Sequence, residues 1–178
     1  MIAEIGGYAA ALALALCLAL GLLGVTGTKR DSRIGAVTAA AQAASALMAL
    51  SFACLIALFV RSDFSAEVVA ANSHTDKPLI YKIAGAWGNH EGSMLLWCLV
   101  SATFGAILAT LRGSQAKGLW VRAIGVQGLV TAGALIYTLF LSNPFARLDP
   151  APMQGSGLNP LLQDPALAAH PPLLYLGY

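Results

Sequence analysis

The side chains best suited to chemistry in this 178-residue chain are its three histidines, His74, His90 and His170. A neutral imidazole binds a metal ion through one ring nitrogen, while the other ring N–H is oriented by a hydrogen-bond acceptor. One histidine alone does not define a metal site. The neighbours of each histidine therefore decide how it is interpreted.

His170 directly precedes Pro171 and Pro172. A residue before proline is biased away from the α region, and prolines suit the opening turn of a helix. We therefore expect a helix that begins near 171, with His170 at a rigid junction between a loop and this helix. Two interpretations remain open: an interfacial histidine bonded to a carbonyl or a lipid headgroup, and a metal ligand.

His90 lies next to Glu91 in the string WGNHEGS (87–93), which does not match the His-Glu-x-x-His pattern of zinc proteases. Asn89 is predicted to cap the helix that follows, and Glu91 to complement the positive end of its dipole. The segment is therefore predicted to be a structural and docking element. His74 lies in a polar loop, which favours a solvated side chain.

The three cysteines, Cys17, Cys54 and Cys98, each lie alone within an apolar run. The sequence contains neither Cys-x-x-Cys nor the haem-attachment pattern Cys-x-x-Cys-His. These cysteines are predicted to be small buried side chains, with no disulfide in the polar loops.

The composition indicates that a lipid bilayer surrounds the elements carrying these residues. Hydrophobic residues make up 58% of the chain and charged residues only 10%, and the mean hydropathy is +0.73. A typical soluble domain is about one quarter charged. The net charge of +2 is too small for a polyanion-binding protein. A soluble enzyme, a disordered chain and a nucleic-acid binder are all disfavoured.

Four apolar runs, 5–25, 34–60, 92–111 and 123–141, are long enough to span a membrane as helices. They lack the alternation of barrel strands. The fold class predicted is an all-α polytopic membrane protein with four transmembrane helices and the start of a fifth near 171. The first run has an acid and no Lys or Arg ahead of it, so a retained helix is expected rather than a cleaved signal peptide.

The loops predict the orientation of the chain. The two short loops, 26–33 and 112–122, carry three Lys or Arg residues in eight and eleven positions, whereas 61–91 carries three in 31 positions and 142–169 carries one in 28. Basic residues concentrate in cytoplasmic loops. We therefore expect the N-terminus and the long loops 61–91 and 142–169 to be periplasmic. Asn159-Pro160 and Asp164-Pro165 in the last of these loops are each predicted to begin a short helical turn.

Several of these strings closely resemble one family. WGNHEGSMLLW (87–97), SNPF (142–145), LNPLLQDP (158–165) and HPPLLYLGY (170–178) resemble cytochrome c maturation protein F, the integral-membrane subunit of the bacterial haem lyase. The resemblance covers nearly the whole chain. It corresponds to the N-terminal part of the family, so the chain is expected to be a single N-terminal membrane segment, as a fragment or as a split-gene product.

The resemblance implies a function. The family joins reduced haem to the Cys-x-x-Cys-His motif of apocytochrome c by thioether bonds on the periplasmic side of the bacterial inner membrane. Its partners are a haem chaperone subunit, subunits that present the apocytochrome, and the remainder of the haem lyase subunit. By this resemblance His170 is an axial ligand to the transferred haem iron. The second outer histidine, the tryptophan-rich segment and the histidine pair for a permanent haem b lie outside this chain.

Two other functions stay open from the residues alone. A membrane electron-transfer subunit that binds haem needs paired histidines inside its spans, and the four runs contain none. A transporter segment needs ionisable residues within the spans, and the runs have none of these either.

Overall fold

The computed structural model describes residues 1–26, 31–111, 117–157 and 164–177. Within these ranges the regular elements are all helices, and extended pairing is limited to an isolated antiparallel bridge between Ala66 and Arg147. The helices are α1 (Ile2–Thr26), α2 (Asp31–Arg61), α3 (Glu67–Asn72), α4 (Leu79–Gly85), α5 (His90–Thr110), α6 (Lys117–Leu141) and α7 (Pro165–Gly177).

Four of these helices, α1, α2, α5 and α6, are long and apolar enough to cross a membrane. This confirms the predicted all-α polytopic membrane fold with four spans. The helices extend beyond the apolar runs, because helical hydrogen bonding continues where the chain leaves the lipid. Arg122, which the sequence placed in a loop, lies inside α6.

The four spans form a ring in which α1 packs on α2 and α6, and α5 completes the ring between α2 and α6. Large side chains such as Met48, Leu55 and Phe59 of α2 are fully buried in its centre. A second core cluster, which includes Leu20 and Trp120, lies near the end of the bundle where α1 ends and α6 begins. The three cysteines are buried and unpaired, as predicted.

Polar side chains link neighbouring spans inside the bundle. Ser101 of α5 and Thr131 of α6 are 2.8 Å apart between their hydroxyl oxygens, and the Gln127 amide donates to Ser101 Oγ at 2.8 Å. Ser51 of α2 donates to the carbonyl of Gly6 in α1 at 2.9 Å. Since lipid provides no hydrophobic drive between helices, such bonds, each worth about 0.6 kcal/mol on average, and close packing hold the bundle together.

One end of the bundle is closed by residues 62–89 together with 142–157, here called the cap. Backbone bonds join its two parts: Glu67 N–H donates to Ala146 O at 2.9 Å, and Leu148 N–H donates to Ser65 O at 2.9 Å. Arg147 in the cap forms an ion pair with Glu4 of α1 at 2.8 Å. The cap is therefore attached to the bundle through backbone pairing and an ion pair.

Helix α7 corrects the expectation for the fifth helix. It begins at Pro165 rather than near 171, so Pro171 and Pro172 lie inside it and residues 165–169 are not a loop. His170 is helical rather than a junction residue. The cause lies upstream, since Asp164 Oδ1 accepts the N–H groups of residues 166 and 167 at 2.9 and 3.1 Å and caps the helix there.

The helix N-cap at Asp164-Pro165 was thus predicted correctly, and the helix that begins there is longer than expected. The corresponding prediction for Asn159-Pro160 falls outside the described residues.

Candidate functional site

Two segments that the sequence singled out meet beside the cap: the string 87–93 and helix α7. The indole N–H of Trp87 donates to the carbonyl of Ala168 at 2.7 Å. Its ring stacks on Phe52 of α2, with ring centroids 6.4 Å apart and planes 21° from parallel. Trp87 therefore packs inside the protein and connects the bundle to α7.

Asn89 holds the start of α5 in place. Its Oδ1 accepts the N–H of Gly92 at 2.7 Å, and its amide donates to the carbonyl of Gly85 at 2.6 Å. The predicted N-cap is therefore confirmed, and Glu91 lies in the first turn as expected. The same side chain also ties α5 to α4.

Gly92 allows two backbone segments to approach each other closely. A Cβ atom placed there would lie 1.8 Å from the carbonyl oxygen of Ala86, which no side chain tolerates. Ser93 Oγ adds a hydrogen bond of 2.6 Å to the carbonyl of Trp87. The turn from α4 into α5 is thus fixed by glycine, asparagine and serine together.

His90 is the first residue of α5 and has partners within the chain. Its Nδ1 lies 2.8 Å from Ser142 Oγ, and its ring contacts Tyr137 edge-on at 5.9 Å between centroids. These contacts join the start of α5 to the end of α6. They fit the structural role predicted for this segment.

His74 is bonded to its neighbour in the loop between α3 and α4. Its Nδ1 lies 3.3 Å from the backbone nitrogen of Asp76 and 3.5 Å from that residue's carboxylate. The ring is partly exposed, in line with the solvated interpretation.

His170 differs from the other two histidines. Its side chain is exposed, and it has no hydrogen-bond partner among the residues that the structure describes. It lies in α7 two residues after Ala168, the residue bonded to Trp87. Within the described part of the chain, neither ring nitrogen is engaged, so an external group can bind there.

The end of α7 borders a groove between the spans. The groove has a volume of about 400 Å³ and is lined by Tyr175 and Leu176 together with side chains of α5 and α6, among them Trp97 and Gln127. Helix α7 therefore runs from its contact with Trp87 at Ala168 to the groove beside α5 and α6. Helix α7 contains the start of the expected fifth apolar segment, although the helix begins at Pro165 rather than near 171.

Metal binding by the described residues alone has no support. No three His, Cys, Asp or Glu side chains come together within 1–26, 31–111, 117–157 and 164–177. A single imidazole suits a metal whose other positions are already filled, as iron is in a porphyrin.

The comparison with known families decides the relationship. The sequence profile described as Cytochrome C assembly protein matches residues 87–178, which contain both segments of the site. The chain belongs to this family.

Curated relatives cover the whole chain. The cytochrome c-type biogenesis protein ccl1 of Rhodobacter capsulatus is 49% identical over 180 residues, which are all of this chain and 28% of the relative. The cytochrome c-type biogenesis protein CcmF of Escherichia coli is 40% identical over 184 residues, again 28% of its length. The chain thus spans about 28% of these relatives.

A solved structure has the same fold. The structure of Cytochrome c Heme Lyase CcmF superimposes on 99% of this chain with a TM-score of 0.81 and 25% sequence identity, and the match covers 28% of that chain. The chain is therefore a multi-pass membrane segment of a cytochrome c biogenesis protein, and the resemblance seen in the sequence is confirmed.

Sequence analysis missed the connection between its two motifs. The role of Trp87 as a donor to α7 was not predicted, because Trp87 and Ala168 lie 81 residues apart in the sequence. The sequence signal that indicates this role is the proline pair, which removes two backbone donors from a helix that starts at Pro165.

Proposed function

We propose that this chain is the N-terminal membrane part of a cytochrome c haem lyase and that it holds the transferred haem through His170. The names of its relatives and of the matching structure support the general assignment, since they are cytochrome c biogenesis proteins and a haem lyase. The observation that carries the residue assignment is the exposed imidazole of His170, which no other described residue contacts through a hydrogen bond.

Haem is the substrate in this proposal. Its porphyrin fills four coordination positions of the iron, so this segment needs to contribute only one imidazole. This fits the described residues, among which no three His, Cys, Asp or Glu side chains come together. The haem supplies vinyl groups, across which the thiols of an apocytochrome add. The protein supplies position and orientation, which contribute strongly when reactants are held in attack geometry.

The place of His170 suits an amphipathic substrate. Helix α7 passes from the cap to the apolar groove at Tyr175, so His170 lies near the boundary between polar loops and apolar spans. A haem bound there has its propionates in water and its ring against apolar surface. We place this boundary at the periplasmic face of the inner membrane.

The partners follow from the same proposal. They are the remainder of the haem lyase subunit, a haem chaperone, the subunits that present the apocytochrome, and apocytochrome c itself. The haem site is completed by a second ligand from outside these 178 residues, so the isolated segment is expected to bind haem weakly.

The test replaces His170 in the full-length protein. We expect His170→Ala to abolish cytochrome c maturation while the protein still inserts, because only one exposed side chain is removed. His170→Gly with added imidazole should recover part of the yield, since free imidazole can enter the vacated position. Haem-stained cytochrome c per membrane protein measures both.

His90→Ala is the matched control. It removes an imidazole whose partner is Ser142, so the haem absorption spectrum should remain unchanged even if assembly becomes less efficient. Normal maturation in His170→Ala would refute the ligand assignment. Loss of an axial-ligand signature in His90→Ala would show that the other histidine has this role.

A further inference from the structure

We propose that Trp87 is a positioning residue for His170: its indole N–H replaces the backbone donor that Pro172 removes from α7 and thereby fixes where the imidazole lies. This inference rests on the function proposed for His170. It connects the WGNHEGS segment, which carries no haem ligand in the proposal, to the HPPLLY segment, which carries one.

Helix α7 lacks two of its backbone hydrogen-bond donors. In an α-helix each N–H donates to the carbonyl four residues earlier. Pro171 and Pro172 lie inside α7 and have no N–H. The carbonyls of Leu167 and Ala168 therefore lack their normal helical donors.

The indole N–H of Trp87 replaces one of these missing donors. Trp87 Nε1 lies 2.7 Å from the carbonyl oxygen of Ala168, which is the carbonyl left free by Pro172. Both residues are half-buried, so water does not freely supply a substitute. A tryptophan has one polar atom, its indole N–H, and here that atom meets the open position of the helix.

Trp87 is itself held in place by contacts with the bundle. Its ring stacks on Phe52 of α2. Its backbone N–H donates to Ala84 O at 3.1 Å, and its carbonyl accepts from Ser93 Oγ at 2.6 Å. The position of the indole is thus set by α2, α4 and α5, and the hydrogen bond transmits that position to α7.

The imidazole of His170 is carried by the same part of α7 that Trp87 contacts. His170 lies between the bonded carbonyl at Ala168 and the two prolines, and its own ring has no partner among the described residues. Its location therefore depends on the backbone of α7. Releasing Ala168 from Trp87 allows this part of the helix to shift and to move the ring away from the iron.

The experiment is a double-mutant cycle in the full-length protein. Trp87→Phe keeps a ring to stack on Phe52 but has no N–H, so we expect maturation to fall about ten- to a hundredfold, as small misplacements of a reacting group do. Pro172→Ala restores an N–H that can donate to Ala168 O within the helix. The double variant should therefore regain most of the yield, and the haem spectrum should recover its axial-ligand signature in parallel.

Pro171→Ala is the matched control. It changes the neighbouring proline in the same way, but its new N–H serves Leu167 rather than Ala168. Combined with Trp87→Phe it should rescue nothing. Recovery of yield in the Pro172→Ala double variant also shows that the Trp87→Phe chain folds, because the same replacement is present in both.

Three results would overturn the inference: wild-type maturation in Trp87→Phe, equal rescue by either proline replacement, or no rescue by Pro172→Ala. Additive effects of Trp87→Phe and Pro172→Ala alongside lost maturation in His170→Ala would reject the positioning role alone. Normal maturation in His170→Ala would reject the proposed function and, with it, the positioning role.

Discussion

Lys77 places a positive charge in a partly buried site of the cap. Its Nζ donates to the carbonyl of Asn72 at 3.1 Å, and no carboxylate pairs with it in the part of the chain that the structure describes. Burial lowers the pKa of the Lys77 ammonium to about 8, and the positive charge of Lys82 adds to this effect. The folded state therefore disfavours the charged form of this side chain.

The sign of the resulting pH dependence follows. The unfolded chain binds a proton at Lys77 up to the ordinary lysine pKa near 10.4, while the folded chain releases it near 8. Between these values the unfolded state binds more protons, so the contribution of Lys77 to stability improves as pH rises. Below about pH 8 its unfavourable contribution is fully present.

We predict that Lys77 reacts with amine reagents at a lower pH than an ordinary lysine. The rate of acetylation at this residue, followed by mass spectrometry of the folded protein, should rise through a midpoint near pH 8. Lys82→Gln should move this midpoint upward, because the neighbouring positive charge is removed. A midpoint near the ordinary lysine value in the unchanged protein would contradict the prediction.

At single residues, sequence reasoning succeeds where the interaction is local. Asn89 caps the helix that begins at the next residue, so spacing alone predicted it. The helical state of His170 was missed because the helix that Asp164 begins continues far beyond its first turn, where it contacts the distant Trp87. The rule that a residue before proline avoids the helix is a local preference, and a helix that starts upstream outweighs it here.

Among the elements, α1 and α6 approach most closely where glycine faces glycine. A Cβ atom on Gly125 would lie 2.5 Å from the Cα of Gly24 and 3.0 Å from the carbonyl oxygen of Leu20. These are backbone atoms, which cannot turn aside as a flexible side chain does. One turn away along α1, Gly21 makes a similar close contact with the side chain of Leu129 in α6.

We predict that Gly125→Ala destabilises the bundle. The added methyl group has to separate two helices, and overpacking of this kind costs about 1–3 kcal/mol. Gly133→Ala on the same helix is the control, because a Cβ atom there meets nothing within 4 Å. Unfolding in detergent micelles, followed by circular dichroism, should show a lower midpoint for Gly125→Ala alone. Equal midpoints for the two variants would mean that α1 and α6 can move apart freely.

The boundaries of the elements were harder to predict than their existence. Each long apolar run gave one span, because length and hydropathy are properties of the run itself. The short helices α3 and α4 carry no such signal, and their positions depend on contacts within the cap, such as that of Glu67 with Ala146.

For the whole molecule, the ring of spans brings the end of α1 and the start of α2 to the same end of the bundle as the end of α5 and the start of α6. Leu20 and Ile34 of the first pair share a core cluster with Ala109 and Trp120 of the second pair. The cap lies at the other ends of the same helices. The sequence predicted this division from the charges, and the packing of the four spans provides the geometry for it.

We predict that the cap faces the periplasm and the basic loops face the cytoplasm. Lys and Arg are retained on the cytoplasmic side during insertion, and the segments 26–33 and 112–122, which join or begin the spans, carry three each. A reporter fused after Arg33 should be active only in its cytoplasmic form, and one fused after Asp149 in the cap only in its periplasmic form. Replacing Lys29, Arg30 and Arg33 by Gln should weaken this asymmetry and yield mixed signals, whereas replacing Arg147, one of three basic residues spread over the cap, should leave the orientation unchanged. The reverse reporter pattern would place the cap and His170 on the cytoplasmic side, and attachment of haem to a periplasmic apocytochrome at this residue would then be physically impossible.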